Sequence, residues 1–153
     1  MKLAEALINR ADAQKRVQQL RERLNRNIVV QEGDKPKEDP QELLAELDRT
    51  VDEMTRLIKQ INRTNTLTPF DSTRTLTDAL ADRDALMLRR NVLMGAIGAA
   101  SNQNQFRYSQ SEIKQIVTID VATLQKQADD LSRQYRELDS TIQQLNWTID
   151  LDE

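Results

Sequence analysis

Residues 120–145 read DVATLQKQADDLSRQYRELDSTIQQL, and in them Val121, Leu124, Ala128, Leu131, Tyr135, Leu138, Ile142 and Leu145 recur at steps of three or four. That spacing lays apolar side chains along one stripe of an α-helix, whose burial against a second helix stabilises both. Asp120 serves as the N-cap, its short carboxylate accepting from the free amides of the first turn. The remainder of the chain repeats the pattern three times.

Over about residues 2–26, Leu3, Ala6, Ala13, Val17, Leu20 and Leu24 form a similar stripe with Arg10 in its one gap. Asp39-Pro40 announces a second helix, because proline loses nothing where the first-turn amides are unpaired anyway. Its stripe is Leu44, Leu47, Val51, Met54, Ile58 and Ile61, and the run is expected to fray near Asn62-Arg63-Thr64-Asn65, ahead of Pro69. A third helix is expected from around Thr75 to about Asn102, with Thr75 and Asp78 approximating a capping box. It carries two apolar faces. One holds Leu76, Leu80, Leu86, Met87, Leu93, Met94 and Ile97; the other, smaller, holds Ala81, Ala85, Leu88, Val92, Ala96 and Ala99. A helix apolar on two sides touches two partners.

The fold class read from this is all-α: four long antiparallel amphipathic helices, each about 38 Å long at 1.5 Å per residue, as a bundle or helical hairpins in a single domain over residues 1–153. Two connections are β-branched, Ile28-Val29-Val30-Gln31 before Glu32-Gly33-Asp34, and Ile113 to Val121. With helices alternating up and down both fall at one end, where a short two-stranded ribbon is expected.

Composition narrows function more than it names one. The chain has 153 residues, 22 Lys+Arg against 25 Asp+Glu, 3% aromatics, three Gly, three Pro, and neither Cys nor His. Thiol nucleophiles, imidazole bases, disulfides and the commonest zinc ligands are thereby absent, as is the Glu-x-x-His motif of di-iron bundles. The longest apolar run, Val92 to Ala100, is half of the roughly 18 to 20 residues needed to span a membrane. The N-terminus runs directly into an amphipathic pattern without a secretory signal, so a cytoplasmic address is expected. A net charge of -3 with both signs interspersed lacks the basic stripe of a nucleic-acid or membrane-surface binder. Neither partner is expected, and neither is a cofactor.

Arg10, Arg83 and Arg90 fall within apolar arcs, with Asp139 at the edge of the last stripe. Level helix ends place Arg10 and Arg83 at about one height with Asp139 within a turn. Such guanidiniums form internal ion pairs that fix register, or converge on a phosphate or carboxylate. Asp78, Asp82 and Asp84, and Glu42, Glu46, Asp48, Asp52 and Glu53, crowd two helices, yet the Glu-x-x-Glu or Glu-x-x-Asp pairs by which all-α nucleotide pyrophosphohydrolases hold magnesium are missing. Glu42 and Glu46 are four apart, as are Asp78 and Asp82. They read as a solvated face, and no metal site is assigned. Gly95 and Gly98 lie inside the third helix, each at a cost of about 1 kcal/mol relative to Ala. With Ala81, Ala85, Leu88, Val92, Ala96 and Ala99 they mark a close helix or subunit contact, and homo-oligomerisation is expected. Trp147 is expected to plug a bundle end.

The stretches Met1-Lys2-Leu3-Ala4-Glu5-Ala6-Leu7, Val30-Gln31-Glu32-Gly33-Asp34, Ile61-Asn62-Arg63-Thr64-Asn65, Leu76-Thr77-Asp78-Ala79-Leu80, Arg107-Tyr108-Ser109, Ser111-Glu112-Ile113-Lys114 and Leu145-Asn146-Trp147 resemble a small uncharacterised bacterial helical family sometimes labelled septicolysin. The resemblance implies no activity for any residue. It draws attention to the polar Asn62, Arg63, Asn65, Arg107, Tyr108 and Trp147, which lie outside the stripes. The leading reading is a cytoplasmic, non-enzymatic interaction protein that self-associates through helix faces. The alternative is a magnesium-dependent, phosphate- or nucleotide-handling enzyme using Arg10, Arg83 or Arg90.

Overall fold

The computed structural model describes residues 1–102 and 113–152. Among these residues are four α-helices, α1 (Leu3–Asn27), α2 (Pro40–Leu67), α3 (Leu76–Ser101) and α4 (Val121–Thr148). Caps set their starts. The Asp39 carboxylate accepts from the Gln41 amide at 2.9 Å with Pro40 as first helical residue. Asp120 accepts from the Ala122 amide at 3.1 Å and the Thr123 hydroxyl at 2.7 Å. Glu5 reaches back to the Lys2 amide at 2.7 Å, satisfying a donor that the first turn leaves open.

Two compact units make up the chain, Met1–Thr75 with Gln143–Glu153, and Leu76–Ile142. In the first, α1 and α2 pack along their lengths. Arg16 bonds Glu46 and Arg23 bonds Glu38, and this inverse pairing order makes the hairpin antiparallel. Leu3, Ala4, Ala6, Leu20, Leu43, Leu57 and Ile61 are buried. The C-terminal segment stitches the termini together: the Leu3 amide donates to the Ile149 carbonyl at 2.9 Å, and the Leu151 amide to the Met1 carbonyl at 2.8 Å. The Asp152 amide donates to the Thr64 hydroxyl at 2.9 Å. In the second unit, α3 and α4 are cross-linked by Arg83 to Asp139 and Arg90 to Ser132, again in inverse order and therefore antiparallel.

The α2 stripe differs from its sequence reading by one residue. Leu43, Leu57, Ile61 and Thr64 are buried and Leu47, Thr50 and Met54 half-buried, while Leu44 and Val51 are exposed. Residues 43, 47, 50, 54, 57, 61 and 64 alternate steps of four and three, as the expected set did. Two of them are threonines, which an apolar count passes over. Their hydroxyls donate to the carbonyls one turn back, Thr50 to Glu46 and Thr64 to Gln60, each at 2.8 Å, so neither brings an orphaned donor into the seam. The same back-bonding carries α2 past Asn62–Asn65, where fraying was expected: Thr66 donates to Asn62, and the Thr68 amide caps the Thr64 carbonyl.

No strand occurs among the described residues, only isolated bridges between Lys2 and Asp150 and between Pro69 and Thr75. The expected ribbon is therefore corrected. Val29 is 80% exposed, and Ile113 and Ile116 are exposed as well. Gly33, at φ +89, and the Asp34 amide donating to Gln31 close a turn that leads to α2. A two-stranded ribbon without an apolar cover gains too little burial to persist.

Candidate functional site

The arginines of the α3 stripe each meet a polar partner on α4. Arg83, its side chain 22% exposed, donates to the Asp139 carboxylate at 2.8 Å and approaches Asp84 at 3.5 Å. Among the described residues its Nε is buried without an acceptor, so the pair is only partly compensated. One heptad along, Arg90 donates through Nε to the Ser132 hydroxyl at 2.8 Å, and Ser132 donates in turn to the Ala128 carbonyl at 3.0 Å. Arg10 occupies its α1 gap, half-buried, in the other unit. Asp139 thus answers Arg83, and Arg90 is answered by a hydroxyl that carries no charge.

The second face of α3 lies open. Leu88 is 66% and Val92 64% exposed, Ala81 and Ala99 are exposed, and Ala85 and Ala96 half-buried. A Cβ added at Gly95 or Gly98 would meet nothing within 4 Å. Among the described residues no neighbour uses the space these glycines leave, so nothing there offsets their propensity cost. Beside the C-terminal end of this face, Ala96, Ala99 and Ala100 and residues 115–119 line a shallow groove of about 330 Å³.

The loop candidates are dispersed. Asn62 and Arg63 are exposed on α2, Arg63 lying 3.6 Å from Asp152, and Asn65 is half-buried. Arg107 and Tyr108 lie outside the described residues. Trp147, expected to plug a bundle end, instead lies within α4 on its outer side, 55% exposed. The helix runs one turn further than its apolar stripe, which carries the indole away from the seam.

Sequence reading missed the polar lacing of unit one. Hydrogen bonds from Arg16 and Arg23 hold the Glu46 and Glu38 carboxyls below their ordinary range. Ala13 and Thr50, small residues at facing seam positions, leave beside the Arg16–Glu46 pair a polar groove of about 860 Å³, also lined by Asp12, Lys15, Arg49 and Glu53. Between α2 and α3, Asp71 accepts from the Thr73 and Arg74 amides at 2.9 and 2.8 Å and from Arg74 Nε at 2.8 Å. These donors, Thr73 first, lower its carboxyl to about 2. The Asp-Ser-Thr-Arg sequence carries the signal for such an Asx turn. Among the described residues no group of three or more acidic side chains converges to hold a metal ion, and no helix is long and apolar enough to cross a membrane.

Residues 10–151 match the model of a family of unknown function, DUF6847. The chain belongs to that family. It is also similar, at 43% identity and TM-score 0.92 over 99% of each chain, to a functionally unknown conserved protein from Corynebacterium diphtheriae whose crystal structure is solved. No curated protein matches. The septicolysin label attaches to neither match.

Proposed function

We propose that the protein is a cytoplasmic interaction module that self-associates through the outer face of α3 and makes or breaks no covalent bond. The observation that carries this reading is the exposure of Leu88 and Val92, successive large apolar residues on a helix whose opposite face is already covered. Single exposed leucines are ordinary on protein surfaces. A seam-spaced pair, flanked by alanines and by two glycines whose missing side chains nothing among the described residues exploits, is the composition of a helix that another helix approaches.

Thermal melting at two protein concentrations tests the reading, because a partner that binds only the folded state makes Tm concentration-dependent. The wild type should melt at higher temperature at the higher concentration, and Leu88→Glu should abolish the difference while remaining helical. A wild-type Tm independent of concentration would overturn the proposal.

A further inference from the structure

The outer face of α3 is graded in size along its length. Ala81 and Ala85 precede Leu88 and Val92 at steps of four, three and four, the seam spacing of paired helices. One edge of that seam carries Asp82 and Arg89, both exposed, each immediately following a seam residue. Size changes over between Leu86 and Met87 and charge one residue earlier, between Ala85 and Leu86, an axial offset well within side-chain reach. A face with that property complements a reversed copy of itself.

We infer that the outer face is occupied by α3 of a second copy, running antiparallel about a two-fold axis at the height of Leu86 and Met87. Leu88 then seats on the partner's Ala85, Val92 on the partner's Ala81, and Asp82 meets the partner's Arg89 along the shared edge. Each contact occurs twice, as an isologous interface requires. The inference rests on the self-association proposed above and adds its direction and register.

Size argues against the parallel alternative. Parallel helices would set Leu88 on Leu88 and Ala85 on Ala85, so the separation demanded by leucine leaves voids at alanine, whereas large against small fills every layer. Charge argues the same way. Asp78, Asp82 and Asp84 of both copies would crowd one end of a parallel pair. The antiparallel pair places the two Asp82 residues about 14 Å apart along the axis, beyond the roughly 8 to 10 Å over which exposed charges act in physiological salt.

A second antiparallel register also sets large on small, with Val92 on Gly95 and Leu88 on Ala99. It brings Arg89 opposite Ala96 and no carboxylate, so charge selects the first register. There Gly95 lies opposite the partner's Asp78, and its missing side chain leaves room for that residue.

The chain has no cysteine, so introduced thiols report geometry cleanly. Ala81→Cys and Val92→Cys chains, mixed and mildly oxidised, should form the mixed disulfide. Ala99→Cys alone should not cross-link, since its two copies lie about 38 Å apart along the axis. Arg89→Glu should weaken the dimer about tenfold, and the swap Asp82→Arg with Arg89→Asp should restore it. Efficient Ala99→Cys self-cross-linking, or no product from the mixed chains, in a sample that still sediments as a dimer would overturn the antiparallel register and leave self-association standing. A wild type sedimenting as a monomer would overturn both.

Discussion

Arg83 shows how much of a site one residue's position can carry. A guanidinium in an apolar arc needs acceptors for its N–H groups, and for Arg83 Asp139 on α4 supplies a charged one at 2.8 Å. Asp139→Ala should cost about 1 to 2 kcal/mol in urea unfolding, toward the low end of a lost charged partner because both side chains keep some solvent contact. Arg83→Met with Asp139→Leu should recover most of it; a loss as large in the double variant would show that packing, not charge, holds the site. Asp71 provides the residue-scale pH test. Its folded-state carboxyl titrates at about 2, below the ordinary value of about 4. The stability it contributes is therefore complete above about pH 4 and lost as pH falls toward about 2. Asp71→Asn should differ most from the wild type in Tm at neutral pH and converge with it in acid; a gap independent of pH would contradict the assignment. Glu38, Glu46, Asp120 and Asp150 are shifted in the same direction, so acid should destabilise the whole chain.

At the scale of the helix, the number of elements and most of their bounds were legible, while the C-terminal end of α2 and its seam were not. Every residue of the α4 stripe is buried or half-buried, and the Asp39-Pro40 and Asp120 starts stand where their chemistry places them. The α2 seam eluded an apolar count because leucine and isoleucine occur in adjacent pairs, Leu43-Leu44 and Leu57-Ile58, while Thr50 and Thr64 occupy the intervening seam sites. A threonine that bonds its own helix is apolar in effect, and only the folded backbone shows that. Leu57→Ala should cost about 2 to 5 kcal/mol, and Val51→Ala no more than about 1 kcal/mol; chemical denaturation of the two variants decides between the registers. Reversal of that order would restore the Val51 register. The ribbon failed for a related reason: β-branched residues favour strands only where a face is covered, and here both connections remain exposed.

For the molecule as a whole, the sequence shows two apolar faces on α3 but cannot say which is covered. The structure answers for the Leu76 to Ile97 face, where Leu76 is buried and Leu93 and Ile97 half-buried, and leaves Leu88 and Val92 to solvent. Among the described residues, the outer seam of α3 leaves Leu88 and Val92 exposed. Sedimentation equilibrium of the wild type from about 1 to 100 µM, a range that covers binding free energies of about -8 to -5.5 kcal/mol, addresses that seam directly. Self-association through α3 predicts a mass rising toward twice 17.7 kDa and returning to the monomer value in Leu88→Glu. A constant 17.7 kDa across the range would contradict it.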